Sequence, residues 1–275
     1  MMKIVFSESN PDYKNYTFPY VVWGIPEGIS EMAELYSMGF LPSKKPYYYL
    51  ARSTRISLNR FKVTQRLRKL LNARKDIEMQ LVDASNFVLD ALAKSMCLQC
   101  AASRFGKGVV DECRLDRIIA PINTTHIMQF RWRGKMIGLV AMNIVDAVAH
   151  YNFAFYDLTL AKMSPGIYML ATAAVFFKEH GYTHLYMGTC YSTPFLYKSR
   201  FEGFEFFNGA GWSKNMEELN FLITRVATPG HLFECDEYME NFSPMGMNIN
   251  AISDACGHAL RTAVNKPDSD QYEST

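Results

Sequence analysis

The stretch YMGTCYSTPFLYKSRF, residues 186–201, brings a strand-like run, a glycine and a Tyr-Lys pair close together. A tyrosine ring can stack on a nucleobase while a lysine meets a phosphate, which is how many proteins hold a single-stranded RNA end. Tyr197 and Lys198 are therefore candidate binding residues, with a chance surface pair as the alternative. Gly188 would let a ligand approach the strand end closely, although a β-bulge accounts for this glycine equally well.

A second group of candidates lies where an aspartate precedes an apolar helix. Asp157 could hold the α-amine of a substrate or receive a proton from an attacking amine, and the alternative is a turn or helix cap. Ser164 and Gly166 open the helix, whose first amides could bind a phosphate or a terminal adenosine. An ordinary helix start is the alternative there, and Pro165 suits the first helical turn in both cases.

A run without acidic residues between positions 34 and 76 predicts a local positive field. Its cations are Lys44, Lys45, Arg52, Arg55, Arg60, Lys62, Arg66, Arg68, Lys69, Arg74 and Lys75. The candidates for contacts with RNA phosphates are Arg55, Arg60, Arg66, Arg68 and Lys69. A solvated helix face is the alternative, and Arg55 could instead pair with an acidic group.

The composition is typical of a globular protein: 275 residues, 49% apolar and 20% charged, with a formal net charge of +2. No apolar run approaches the roughly 20 residues that a membrane helix needs, and the first residues lack a signal-peptide core. The six cysteines are irregularly spaced, which fits reduced thiols and predicts a cytoplasmic protein without membrane contact. Cys97 and Cys100 form one C-x-x-C, but no second pair completes a zinc site, so we expect no metal.

Motifs of several common chemistries are missing from the sequence. It has no glycine-rich nucleotide loop, no G-x-S-x-G elbow and no H-E-x-x-H. The six histidines form no pair at metal-ligand spacing. A hydrolase or metalloenzyme is therefore unsupported.

The elements that would position the candidates alternate between strands and helices. A strand is predicted near 47–58, and Thr64 is a plausible N-cap for a helix carrying QRLRKLLNAR. Apolar residues at three- and four-residue steps predict a second helix between Ile77 and Met96. FRWRGKMIGLVAMNIV indicates a hairpin and HYNFAFYDL a further strand.

A helix that is apolar on nearly all sides, GIYMLATAAVFFKEHG, follows and ends at Gly181. After it THLYMG, FEFFNGAGW and LNFLITRV are predicted to be extended. Strands, a buried helix and then more strands favour an α/β or α+β mixed sheet.

Two stretches, residues 39–72 and 156–212, share motifs in the same order with one family. Together they resemble the arginyl- and leucyl-tRNA–protein transferases, which attach an amino acid from aminoacyl-tRNA to a protein N-terminus. The first, GFLPSKKPYYYLARSTRISLNRFKVTQRLRKLLN, matches the family's Gly-Phe run, Tyr-rich strand and basic helix start. The second, YDLTLAKMSPGIYMLATAAVFFKEHGYTHLYMGTCYSTPFLYKSRFEGFEFFNGAGW, contains the aromatic-Asp pair, the Ser-x-Gly helix start, the glycine-ended strand and the Tyr-Lys pair. The cysteine cluster of the family's N-terminus is absent here.

The resemblance implies a GNAT-like acyltransferase fold for residues 120–230, and the composition along the chain suggests the domain order. An N-terminal α/β region with the basic strand-helix segment would cover residues 1–110, and a GNAT-like acyltransferase domain would cover 111–240, with the boundary in the stretch 103–117. A C-terminal extension would occupy 241–275 and be disordered from about 265.

The implied reaction moves an arginine- or leucine-type amino acid from charged tRNA to a protein N-terminus or another peptide or small-molecule amine. Because the tRNA ester is already activated, positioning supplies most of the rate, and no cofactor is expected beyond aminoacyl-tRNA as co-substrate. The residues implied as catalytic are Asp157, Tyr186 and Lys198. Besides the five cations, the implied binding residues are Ser164, Gly166, Gly188, Thr189 and Tyr197.

Two other functions fit the same sequence. An acyl-coenzyme A N-acyltransferase could use a GNAT fold, but KMSPGI is not the basic, glycine-rich loop that coenzyme A would require. A non-catalytic RNA- or protein-binding descendant of the family is the second alternative.

Overall fold

The computed structural model describes residues 3–8, 20–44, 47–50, 52–190, 193–208, 211–225 and 236–242. A four-stranded antiparallel sheet has the order β1-β2-β4-β3. Its strands are β1 (Lys3–Glu8), β2 (Tyr20–Ile25), β3 (Phe40–Lys44) and β4 (Tyr47–Leu50). Helix α1 (Ile29–Ser37) connects β2 to β3.

An eight-stranded mixed sheet carries most of the described chain, in the order β12-β11-β5-β10-β9-β8-β7-β6. Its strands are β5 (Ser53–Ser57), β6 (Ile77–Asp83), β7 (His126–Trp132), β8 (Lys135–Val145), β9 (Val148–Tyr156), β10 (His184–Thr189), β11 (Phe204–Phe207) and β12 (Trp212–Ser213). Among these described strands, only β9 and β10 are parallel neighbours. The predicted mixed α/β class is confirmed.

The other helices are α2 (Gln65–Asn72), α3 (Ala91–Phe105), α4 (Glu112–Ile119), α5 (Pro165–Glu179), α6 (Met216–Thr224) and α7 (Asp236–Phe242). Within the described residues, 3₁₀ helices cover Ala84–Asn86, Leu158–Met163 and Thr193–Arg200. Strands β5 and β6 precede the stretch 103–117, so one sheet holds strands from both sides of the predicted boundary.

The β7–β8 hairpin and the β9–α5–β10 crossover build the centre of the larger sheet. Arg133 and Gly134 both have positive φ angles, 51° and 76°, as a tight hairpin turn with right-handed strand twist requires. In α5 most side chains, including Leu170, Ala174 and Phe177, are buried, which is why the helix sequence is apolar on nearly every side. Gly181, at φ 80°, ends the helix where it was predicted to end.

Three predicted elements are wrong in type or extent. The strand near 47–58 is two strands, and β4 and β5 belong to different sheets. The helix predicted from Ile77 to Met96 begins as strand β6, which pairs with β7 along its full length, and α3 starts only at Ala91. The i, i+4 spacing of Ile77 and Leu81 fits a strand face as well as a helix face, so periodicity could not separate the two.

LNFLITRV was predicted to be extended, but its first part lies in α6. The overlooked signal is Asn215, whose side chain accepts hydrogen bonds from the amides of Glu217 and Glu218 and thereby caps the helix. The predicted C-terminal extension lies outside the described residues beyond position 242.

Candidate functional site: a split between two parallel strands

Strands β9 and β10 pair over only part of their length. Residues 148–150 of β9 pair with 184–186 of β10, after which β9 continues to Tyr156 and β10 to Thr189 without pairing to each other. Gly188, at φ 72°, lies where the register of β10 against β5 shifts. Its carbonyl accepts a hydrogen bond from Thr54 Oγ1 at 3.0 Å. The glycine therefore forms a bulge at the point where the two parallel strands separate. We call the gap between residues 151–156 of β9 and 187–189 of β10 the split.

Lys198 reaches this split from the 3₁₀ helix Thr193–Arg200. Its Nζ donates to the carbonyl oxygens of Met187 at 2.6 Å and Thr189 at 2.9 Å, on either side of Gly188. The side chain is buried, and no carboxylate of the described residues forms an ion pair with it. Burial lowers the pKa of the Lys198 ammonium to about 8; Cys190 opposes this shift and the Arg104 charge adds to it.

Aromatic residues and a guanidinium complete the split. The Arg104 Nη1 of α3 donates a hydrogen bond to the Tyr156 hydroxyl, and Arg104 itself is exposed to solvent. Burial raises the pKa of Tyr197; the Arg104 charge lowers it, while Tyr156 raises it further. A methyl group added to Gly166 would lie 3.2 Å from Tyr156 Cε1, so the first turn of α5 packs directly on this ring. The split thus runs from an exposed arginine to a buried lysine.

The start of α5 leaves its first amides open. Ser164 takes the left-handed conformation at φ 52°, is exposed, and makes no side-chain hydrogen bond to the helix. The first-turn amides of Gly166 and Ile167 therefore receive no cap from Ser164. Together with the positive end of the helix dipole, they would attract an anion. Thr189, partly buried, contributes its carbonyl to Lys198.

Asp157 is engaged in a cap of the following 3₁₀ helix. Its Oδ1 accepts from the Thr159 amide at 3.0 Å and from the Thr159 hydroxyl at 2.6 Å, and Lys135 lies 3.3 Å from its Oδ2. Partial burial acts to raise the pKa of Asp157, but these hydrogen bonds and the Lys135 charge hold it below the ordinary value. The capping alternative describes these contacts, and the catalytic role stays a prediction.

Arg55, Arg60 and Tyr186 form a second cluster on the β5 side of β10. Arg55 Nε donates to Glu205 Oε2 at 2.7 Å and its Nη1 to the Tyr186 hydroxyl at 3.2 Å. Arg60 pairs with the other oxygen of Glu205, and the Trp212 ring lies 3.8 Å from the Arg55 guanidinium carbon. Two of the five predicted phosphate-binding cations are thus paired with an internal carboxylate.

The remaining cations, Arg66, Arg68 and Lys69, are exposed on α2. The predicted cap of this helix is confirmed, because Thr64 Oγ1 accepts from the Leu67 amide at 3.3 Å. Helix α2 packs against α5, which places a basic surface beside the helix that opens at the split. Contact of these side chains with RNA stays a prediction.

Sequence reasoning missed Arg104 as a member of the site. Arg104 belongs to the charged stretch that was interpreted as a domain boundary, and its position in the last turn of a helix gives no sign of a distant tyrosine partner.

The Cys97 and Cys100 thiols are buried in α3, and burial raises the pKa of both. Within the described ranges, no group of three His, Cys, Asp or Glu side chains is placed to hold a metal ion. No helix among these same residues has the length and apolar character to cross a membrane.

Residues 67–208 match the family model described as "Arginine-tRNA-protein transferase, C terminus". This span contains the whole split, from Arg104 to Lys198, and leaves out Arg55, Arg60 and Arg66. No curated protein matches the sequence.

Several solved structures share part of the backbone arrangement at low identity. The C-terminal domain of an Agrobacterium fabrum protein described as a lysylphosphatidylglycerol synthetase is 15% identical over 60% of this chain and 52% of that chain, with a TM-score of 0.39. FemX is 10% identical over 58% of this chain and 60% of that chain, with a TM-score of 0.39. A GCN5-related glucosamine N-acetyltransferase region of a fungal β-N-acetylglucosaminidase is 12% identical over 74% of this chain and 24% of that chain, with a TM-score of 0.39. In each case this chain spans less than two thirds of the solved chain.

Proposed function

The chain belongs to the arginine-tRNA-protein transferase family, and from this premise we propose that it moves an amino acid from charged tRNA to an acceptor amine. The observation that supports the proposal is the buried Lys198 at the split, within the matched span. The resemblance of the sequence to this family is confirmed by the match, whereas donor and acceptor belong to the proposal.

The proposed reaction is a direct aminolysis. The acceptor nitrogen attacks the ester carbonyl carbon, an amide bond forms, and the carbon–oxygen bond to the terminal ribose breaks. The nitrogen loses one proton and the ribose oxygen gains one, so free tRNA leaves. No covalent enzyme intermediate is needed, and the protein has to position the reactants and stabilise the oxyanion.

Lys198 is suited to the oxyanion. Its ammonium has three N–H donors, and the carbonyls of Met187 and Thr189 engage two of them. The third donor is left for a substrate oxygen, in a buried position where a charge acts strongly. A carboxylate partner would cancel this field, and the described residues place none at the ammonium.

The tRNA end would enter at the outer part of the split. Tyr197 offers a ring for base stacking, and Arg104 together with the first amides of α5 offers donors to a phosphate or ribose oxygen. The exposed cations of α2 would contact phosphates farther along the acceptor stem. We propose an arginine- or leucine-type donor and a protein N-terminus as the acceptor, in a cytoplasmic setting.

The test is a transfer assay with a pool of radiolabelled aminoacyl-tRNAs. Acceptors would be peptides with different N-terminal residues, small amines and a cell lysate, and the label would be followed from tRNA into an acid-stable product. Transfer of one amino acid would identify the donor, and the labelled acceptor would identify the second substrate.

A parallel arm offers labelled acetyl-coenzyme A to the same acceptors. Transfer from this donor alone would replace the proposal with an acyl-coenzyme A N-acyltransferase. Binding of tRNA at low salt without any transfer would instead support a non-catalytic descendant.

A further inference from the structure

A β-bulge brings two tyrosines of β9 to one face of the sheet. Tyr151 pairs with Met142 on β8, and Tyr156 pairs with Gly138. The β8 partners are four residues apart and share a face, whereas the two tyrosines are five apart and would ordinarily point to opposite faces. The register shift between Ala141 and Met142 supplies the extra residue. Without this bulge Tyr151 would lie on the other face from Tyr156.

The Tyr151 hydroxyl is buried without a hydrogen-bond partner. The side chain is 6% exposed, and no donor or acceptor among the described residues reaches its oxygen. Burial raises the pKa of Tyr151 well above its ordinary value; Tyr197 and Tyr156 act in the same direction and Arg104 opposes them. An unpaired buried hydroxyl is uncommon and unfavourable. Because this one interacts with Tyr197, Tyr156 and Arg104 of the split, its missing partner is expected to be a group that binds there.

We propose that Tyr151 contacts the substrate, and that an oxygen of the aminoacyl-ribose end of the tRNA completes its hydrogen bonding. This inference rests on the proposed aminoacyl transfer and adds a residue that positions the donor. The bulge would then serve to direct the Tyr151 hydroxyl into the split.

The charges around the split indicate which part of the donor lies at Tyr151. Arg104 and Lys198 are both cationic, and an α-ammonium group would be repelled there. A carbonyl or hydroxyl oxygen is accepted by the same surroundings, and a neutral tyrosine hydroxyl can donate to either. The ester carbonyl and the ribose 2′-hydroxyl are therefore the two candidate partners.

The experiment compares Tyr151→Phe with the wild-type protein and with Tyr238→Phe. Tyr238 is a matched control because its buried hydroxyl has a partner in the protein, Glu218 Oε1 at 2.6 Å. For each protein, three quantities are measured: the urea midpoint of unfolding, the affinity for an amide-linked, non-reactive aminoacyl-tRNA, and kcat/KM for transfer.

We expect Tyr151→Phe to unfold at an unchanged or higher urea concentration, because it removes an unpaired group. Its affinity for the amide-linked tRNA and its kcat/KM should both fall about tenfold, the effect of removing one hydrogen bond. Tyr238→Phe should show the reverse pattern, with a lower urea midpoint and unchanged transfer.

A terminal 2′-deoxyadenosine distinguishes the two partners. If Tyr151 binds the 2′-hydroxyl, the effects of Tyr151→Phe and of the deoxy substrate will not add; if it binds the carbonyl, they will add.

Wild-type affinity and transfer in Tyr151→Phe would overturn the inference, and so would a lower urea midpoint, which would reveal a partner in the free protein. A wild-type protein that binds the analogue but transfers nothing would refute the proposed reaction alone, because the affinity comparison still tests Tyr151. A protein that does neither would refute both.

Discussion

Strand β10 has a cationic residue on each side, and the two are compensated differently. On the β5 side Arg55 shares Glu205 with Arg60 and lies on the Trp212 ring. On the side that faces the split, the Lys198 ammonium donates to the carbonyl oxygens of Met187 and Thr189 and lies 5.3 Å from the centre of the Phe195 ring, with no carboxylate partner among the described residues. The exposed fractions are similar, 12% for the Arg55 side chain and 7% for Lys198, so the surroundings of the two cations differ in chemistry rather than in depth.

A carboxylate makes a buried cation inert toward other anions. The planar guanidinium of Arg55 uses Nε on Glu205 and Nη1 on Tyr186, so its donors are directed inward. Carbonyl dipoles hold the Lys198 ammonium without neutralising it, and its pKa is lowered to about 8 mainly by burial. We infer that the Arg55 cluster stabilises the sheet, while the Lys198 position keeps a charge for a substrate oxygen.

The largest effect is expected from Glu205→Gln. Removal of the carboxylate charge leaves Arg55 buried without compensation and should lower the free energy of unfolding by about 3–5 kcal/mol. Urea denaturation of the purified variant measures this. Glu202→Gln changes an exposed glutamate in the turn just before β11 and should stay within about 0.5 kcal/mol of the wild-type value. Equal stabilities for the two variants would contradict a structural role for the Arg55 cluster.

Lys198→Met should show the opposite division between stability and activity. Loss of one donor to the oxyanion should lower kcat for transfer about 100- to 1000-fold, roughly 3–4 kcal/mol. The change in unfolding free energy should be smaller than for Glu205→Gln, because a buried uncompensated charge disappears together with two hydrogen bonds. Lys62→Met, at an exposed lysine, is the control for transfer. If Lys198→Met unfolds like Glu205→Gln yet transfers normally, the contrast between the two cations fails.

Local signals predicted the elements around the site correctly. The hairpin turn between β7 and β8, the helix stop at Gly181 and the Thr64 cap each depend on residues within a turn of one another. The types of β6 and α6 were predicted wrongly, because pairing with β7 makes β6 a strand and the Asn215 cap begins a helix at α6.

The chemistry of the site depended on contacts that sequence spacing does not encode. Glu205 lies 150 residues from Arg55, so no pattern near Arg55 shows that its charge is already paired. Lys198 and Tyr197 were found from their types and from the family resemblance, but the split that holds Lys198 arises because β9 and β10 stop pairing after His150. Arg104 reaches Tyr156 across 52 residues, and only the fold brings them together.

The pH dependence of stability sharpens the comparison further. Since folding lowers the pKa of Lys198 from 10.5 to about 8, the unfolded chain binds a proton that the folded protein lacks between these two values. The free energy of unfolding of the wild-type protein, compared with that of Lys198→Met, should therefore rise with pH in this window. Between pH 8 and pH ~9.5 the rise should be about 2 kcal/mol. Below about pH 8 the lysine is protonated in both states and the difference should be constant. Urea titrations of both proteins at several pH values measure it, and parallel curves would show that the ammonium is not destabilised by burial.

The smallest effect per residue is expected on the exposed surface of α2. Changing Arg66, Arg68 and Lys69 to Gln together should weaken tRNA binding about tenfold at low salt and leave stability nearly unchanged, since these side chains are solvated. The slope of log Kd against log salt should fall by about 0.7–0.9 for each phosphate that the variant no longer neutralises. Arg117→Gln, at an exposed arginine of α4, is the matched control and should keep the wild-type slope. If the slope of log Kd against log salt is unchanged in the triple variant, these cations do not contact tRNA and are only solvated surface side chains. The binding of tRNA would then be confined to the split.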